Sequence, residues 1–289
     1  MSTRFDAETD DVRQVALPMA GPPTDASARS GLARWYFENE RATLGTTAVV
    51  LVLTLWELSG SRQWIDPLFT SSPWRIVRAA RDLVASGEIW NDLRVSGLEF
   101  VLGYLLAIAT AIPLGVACGW YPRVSHVLDP FLSALYATPR VALFPLVLIW
   151  FGIGIWSKVV LVYLGALFPI LINTVAGVRT SDPRLLKAGR SFGATDIQLF
   201  RTVVVPGSIP FIISGLRLGV GRALVGIVVG EMAAATAGIG FLITVAGSSF
   251  QTDKVMVGVL IIAAGGMVSM DLLGRLERRF ERWRPQVNP

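Results

Sequence analysis

Residues 100–119 and 159–178 each run for twenty positions without a charged side chain. A helix needs roughly twenty apolar residues to cross the hydrocarbon of a bilayer. A continuous stretch of that length with no charge therefore has few other places to be. Four further segments qualify or nearly qualify: 44–58, 132–151, 209–230 and 255–273. The chain reads as an all-α integral membrane protein of about six transmembrane helices. Composition agrees, since hydrophobic residues make up 53% and charged residues only 16%, against about a quarter charged in a soluble domain.

The first segment is short and extends past Glu57. The third and fourth are separated only by a tight turn at Gly152-Ile153-Gly154, with Trp156 close by, which fits a hairpin at the interface. Trp150, Phe151 and Trp156 read as belt residues, with a substrate cage as the alternative. Pro113, Pro145, Pro169 and Pro210 lie in or near spans, so kinks are expected where neighbouring helices re-satisfy the freed carbonyls. Between the first two spans, Trp74, Ile76, Val77, Ala80, Leu83 and Val84 recur at helical spacing, with arginines between them. Residues 72–90 therefore read as an amphipathic helix lying at the outer interface, or as a surface for an external binding protein.

Residues 1–42 have mixed charge and lack the early apolar core of a signal peptide. They read as a flexible N-terminal tail, followed by a membrane domain over 43–278 and a basic tail over 279–289. With six spans both ends share a side. That side holds Arg4, Arg13, Arg29, Arg34 and Arg41, then Arg123, the run Arg179 to Arg201, and Arg275 to Arg284. Lysine and arginine collect on the cytoplasmic side of membrane proteins, so both termini are expected there. The pI of about 9.8 then needs no nucleic acid. Cys118 is the only cysteine and His126 the only histidine, so a zinc or haem site is not expected.

One connection is more than a connector. Residues 179–207, between the fourth and fifth spans, carry Arg179, Arg184, Lys187, Arg190 and Arg201. Gly193 permits a tight turn between two short helices, and Pro206, thirteen residues on, fixes the exit toward the next span. The chain has no GxxxxGK[ST] phosphate loop, so it carries no ATP site of its own.

At this loop the chain resembles the membrane (permease) subunits of binding-protein-dependent bacterial ABC importers. Their cytoplasmic coupling loop has Glu-Ala-Ala, a glycine after three more residues, and Ile-x-Leu-Pro after nine more. Here Lys187, Ala188 and Gly189 stand in the first three positions, Gly193 on the glycine, and Val203, Val205 and Pro206 on the last motif. Lys187 reverses the usual charge, and Gly189 replaces the second alanine. Residues 139–154, 215–232, 238–243 and 250–266 look like the branch that takes nitrate, taurine and sulfonates. The resemblance implies a type I importer fold, with six spans and a coupling helix. It also implies a homodimer, two ATPase subunits that bind ATP and Mg on their own chains, and an extracytoplasmic substrate-binding protein. The chain itself is expected to make and break no covalent bond.

Ionisable residues inside spans are costly and carry a functional reading by default. Glu99, Arg140, Arg217, Arg222, Glu231 and Asp271 qualify. Arg217 and Glu231 are fourteen residues apart, about 21 Å along one helix, so they cannot pair with each other. Arg217, Arg222, Glu231 and Arg140 are candidates for a solute pathway, and structural pairing is the competing reading for each. Arg140 also reads as a side chain that snorkels. Asp271 is expected to pair with an arginine near the C-terminus. An ion-gradient-driven secondary transporter and a non-transporting scaffold subunit remain as alternatives.

Overall fold

Helices account for almost every ordered element, as a chain of unbroken apolar runs requires. A computed structural model describes residues 40–62, 66 and 68–280. The N-terminal tail through residue 39 and residues 281–289 lie outside the described residues. The elements are α1 (Glu40–Ser61), α2 (Pro73–Ser86), α3 (Glu88–Trp120) and α4 (Pro122–Ala137). A 3₁₀ turn (Arg140–Leu143) leads into α5 (Phe144–Phe151), followed by α6 (Ile155–Arg179), α7 (Pro183–Ser191) and α8 (Asp196–Leu199). A π-helical turn (Phe200–Val204) joins α9 (Val205–Ala234), and α10 (Ile239–Ser248) and α11 (Thr252–Phe280) close the order. The contacts divide the chain after Leu55. The described part of the first unit is the N-terminal part of α1, and the packing and sites described below belong to the second.

Among the described residues five helices are long and apolar enough to span a membrane, and the pair α4 and Arg140–Phe151 supplies a sixth if counted as one. Residues 132–151, read as the third span, fall across that pair, and the chain bends there by 91°. Thr138 precedes Pro139, and the proline ring disfavours helical geometry in the residue before it. Thr138 and Pro139 are extended (ψ 126° and 112°), so hydropathy continues across a break in direction.

The core is built on α3, α6 and α9. Tyr104, Ala107 and Ala111 of α3 meet Val162, Ala166 and Ile170 of α6 and Leu216, Val220 and Ala223 of α9. Small residues let the backbones approach closely. A Cβ on Gly165 would stand 2.7 Å from the Arg222 carbonyl oxygen, and one on Gly226 would stand 2.7 Å from that of Leu161. The Tyr104 hydroxyl donates to the Leu216 carbonyl at 2.7 Å. More than half (56%) of the apolar stretch of α6 is buried, so this is the central helix.

α2 forms as its periodicity predicts. Ser72 caps it, Pro73 occupies its first turn, and Gly87 (φ 82°) ends it. Ile76 and Leu83 face inward with Leu242 and Val257, while Trp74, Val77 and Val84 are exposed. Asp253 at the start of α11 ties it down, accepting from Arg75 Nη2 at 3.0 Å and from Ser71 Oγ at 2.6 Å.

Candidate functional site: a lever, a turn and a cavity

Asp182 starts α7 by accepting from the Arg184 amide at 2.8 Å, with Pro183 in the first turn. Gly193 ends the helix at φ 80°. The Ala194 amide donates to the Gly189 carbonyl (3.0 Å) and the Gly193 amide to that of Arg190 (2.9 Å). Those two bonds are a Schellman cap, which wants glycine in the left-handed position. Thr195 then opens α8 with a capping box. Gln198 returns a bond to the Thr195 amide at 2.8 Å.

The two short helices are locked together. Leu199, 2% exposed, sits on Gly189. A methyl group at Gly189 would require the Leu199 side chain to turn aside. Pro206 does not punctuate the chain. Asp196–Ala234 is one helical run of 39 residues. Pro206 has no N–H to donate, and its ring crowds the preceding turn. The π turn just before it absorbs both effects, with the Val205 amide bonding to the Phe200 carbonyl five residues back. The outer limb of the loop and the fifth span are therefore one rod.

Val203 and Val205 are half-buried, while Val204 between them is fully buried. Lys187 and Ala188 are exposed. So are Leu185, Ile197 and Phe192, the last 92% exposed. Sequence reasoning missed Phe192, Leu199 and Val204. The spacing from Gly193 was their only signal.

The four pathway candidates fall in three places. Glu231, 1% exposed, accepts from Ser96 Oγ at 2.5 Å and from the Gly240 amide at 2.6 Å. Ser96 in turn accepts from the Ile239 amide, and Asp92 accepts from the Gly238 amide, both at 2.8 Å. Glu231 thus pins the turn between α9 and α10. Gly238 (φ 123°) has no room for a side chain beside the Glu231 carboxylate. Lys158, also buried, donates to the Gly154 carbonyl at 3.0 Å. Arg217 pairs with Glu277 of α11 at 2.7 Å. Asp271 pairs with Arg275 at 2.7 Å, as expected.

Arg140 and Arg222 are brought together. Both line a cavity of about 640 Å³, with Tyr136, Asn173, Leu218 and Val225 among the other walls. The break at Thr138-Pro139 is what places Arg140 there. Among the described residues no cluster of His, Cys, Asp or Glu is arranged to hold a metal ion.

Residues 111–282 match the family described as binding-protein-dependent transport system inner membrane component. The chain is 32% identical over 259 residues to the taurine transport system permease protein TauC of Escherichia coli K12, covering 88% of this chain and 94% of that one. It is also 32% identical over 240 residues to the putative aliphatic sulfonates transport permease protein SsuC of Bacillus subtilis 168, covering 83% and 87%. Its fold is similar to a crystal structure of an amino acid ABC transporter, with a TM-score of 0.54 at 19% identity, covering 73% of this chain and 99% of that one. Apolar spans, a capped two-helix loop and these likenesses agree: the chain belongs to the binding-protein-dependent inner-membrane transport components and is a permease subunit of an ABC importer.

Proposed function

We propose that this permease carries a small solute bearing an oxyanion group, such as a sulfonate, taurine or nitrate, across the cytoplasmic membrane by alternating access. ATP is hydrolysed on a separate ATPase chain, which holds the nucleotide and its Mg. The observation that carries this reading is the rod Asp196–Ala234. One end forms the capped, rigid loop at Gly193, and the other contributes Arg222 to the cavity. A push on the loop cannot be absorbed there, so it is passed to the cavity wall.

The partners follow from surface chemistry. Leu185, Phe192 and Ile197 offer an apolar face, ringed by Lys187, Arg184 and Arg190, to an ATPase groove. Lys187 meets an acid there, or the docking rests on the apolar contact alone. Two copies of the permease pair, each with one ATPase, and a binding protein delivers solute at the opposite end. The lysine and arginine bias supports a cytoplasmic position for both termini and the Gly193 loop. The turns at Gly152 and Gly238 then share the outer end with α2. Contacts from α2 to α11 and from Asp92 to Gly238 support that arrangement.

Co-purification tests the reading. The tagged chain, extracted in mild detergent from cells that express its neighbouring genes, should retain an ATPase in equal amount. Phe192→Asp should release the ATPase while the permease stays in the membrane. A clean homo-oligomer without ATPase would favour a gradient-driven transporter instead.

A further inference from the structure

Most ionisable side chains in the spans are accounted for. Glu277 neutralises Arg217, Arg275 neutralises Asp271, and Ser96 and Gly240 hold Glu231. Glu99, 2% exposed on α3, keeps one carboxylate oxygen without a partner and lies outside the large cavity. Arg140 and Arg222 differ from all of these. Among the described residues neither makes an ion pair or a hydrogen bond. Arg140 Nε is shut off from solvent without an acceptor. Its Cζ stands 5.5 Å from the centroid of the Phe168 ring, which gives partial compensation only. Both arginines line the 640 Å³ cavity, and none of the other residues lining it is acidic. Arg140 is half-buried and Arg222 exposed on this open cavity, and two cations there without a counter-ion among the described residues leave a place for an anion. Guanidinium forks match the geometry of oxyanions.

The geometry points to a site in which Arg140 and Arg222 share the oxyanion head of a small organic anion. Leu161, Leu218, Val225 and Val229 take its carbon chain. The site rests on the permease reading above and narrows the solute. An ammonium group would enter a lining with no acid to receive it, so a net anion is preferred over a zwitterion. The apolar walls favour an organic ion over an inorganic one.

Ethanesulfonate and taurine differ by one amino group and make the test. The permease with its ATPase is placed in phosphatidylcholine nanodiscs and titrated with each by calorimetry. Saturable binding is expected for ethanesulfonate, and binding about tenfold weaker or worse for taurine. R140Q and R222Q should each weaken ethanesulfonate binding about tenfold or more, while both still hold the ATPase. R222K, which keeps the charge and loses the fork, should fall between. R275Q, on the helix surface, should bind as the unaltered complex does. No saturable binding, equal affinity for taurine, or unchanged affinity in both glutamine variants would each overturn the site. Discs containing phosphatidylglycerol separate solute from lipid. Unchanged ethanesulfonate affinity there supports a solute site. Phosphatidylglycerol retained by the unaltered chain, lost from R222Q and excluding ethanesulfonate assigns the arginines to a headgroup and overturns the proposal. ATPase retained without anion binding removes the site alone, whereas ATPase absent from the unaltered complex removes the permease reading first.

Discussion

Gly165 and Gly221 look alike in the sequence and do different things. Gly165 lets α6 touch the α9 backbone at Arg222, and nothing there can move aside cheaply. Gly221 has open space around its Cα. Gly165→Ala should destabilise the permease by about 1–3 kcal/mol through overpacking. Gly221→Ala should be neutral or stabilise by up to about 1 kcal/mol through helix propensity. Thermal unfolding in one detergent checks both, and equal effects would remove the close-approach argument. Glu231 makes a second case. Glu231→Ala leaves the Gly240 amide and the Ser96 hydroxyl without their acceptor. A loss of about 2–4 kcal/mol is expected, with faster amide exchange over residues 235–240. Retained stability with lost transport would instead make Glu231 a solute contact. The sequence marks Glu231 as a charge in an apolar run. It does not reveal the partner, because Ser96 is 135 residues away. Arg217 and Glu277 are hidden in the same way, while Arg275 lies one helical turn from Asp271 and was legible.

The elements show where local pattern suffices. α2 was readable because its burial has a helical period, and the Gly193 loop was readable from spacing and turn chemistry. Three things were not. α3 begins at Glu88 rather than near residue 100, because Asp92, Arg94 and Glu99 interrupt the apolar window. Asp92 is spent on the Gly238 turn. α10 is too short to register as a span. The bend after α4 was announced only by the Thr138-Pro139 pair, which hydropathy ignores. The tie between α2 and α11 is testable at this scale. The Arg75–Asp253 pair is partly exposed (34% and 26%), so its ionic part is modest. With the Ser71 bond also lost, Asp253→Ala should cost about 1–2 kcal/mol. Hydrogen exchange over residues 73–86 should rise accordingly. Unchanged exchange there would show that Ile76, Leu83 and the Glu57 bond to the Trp74 amide hold α2 without Asp253.

In the whole molecule, the second half of the Gly193 loop and Arg222 of the cavity lie on one helical run. The Asp196–Ala234 rod joins them without a joint, the π turn before Pro206 keeping it continuous. Val225 is exposed on that rod and lines the cavity. The sole native cysteine, Cys118, is buried, so a spin label can be directed to Val225→Cys. In a complex of two permeases and two ATPases, the label-to-label distance measured by pulsed electron resonance should shift when ATP is trapped. Gly193→Pro, which cannot adopt φ 80°, should keep the spans inserted and hold the distance at its nucleotide-free value. The same ATP-dependent shift in that variant, or no shift in the unaltered complex, would contradict a lever that runs from the Gly193 loop to the cavity.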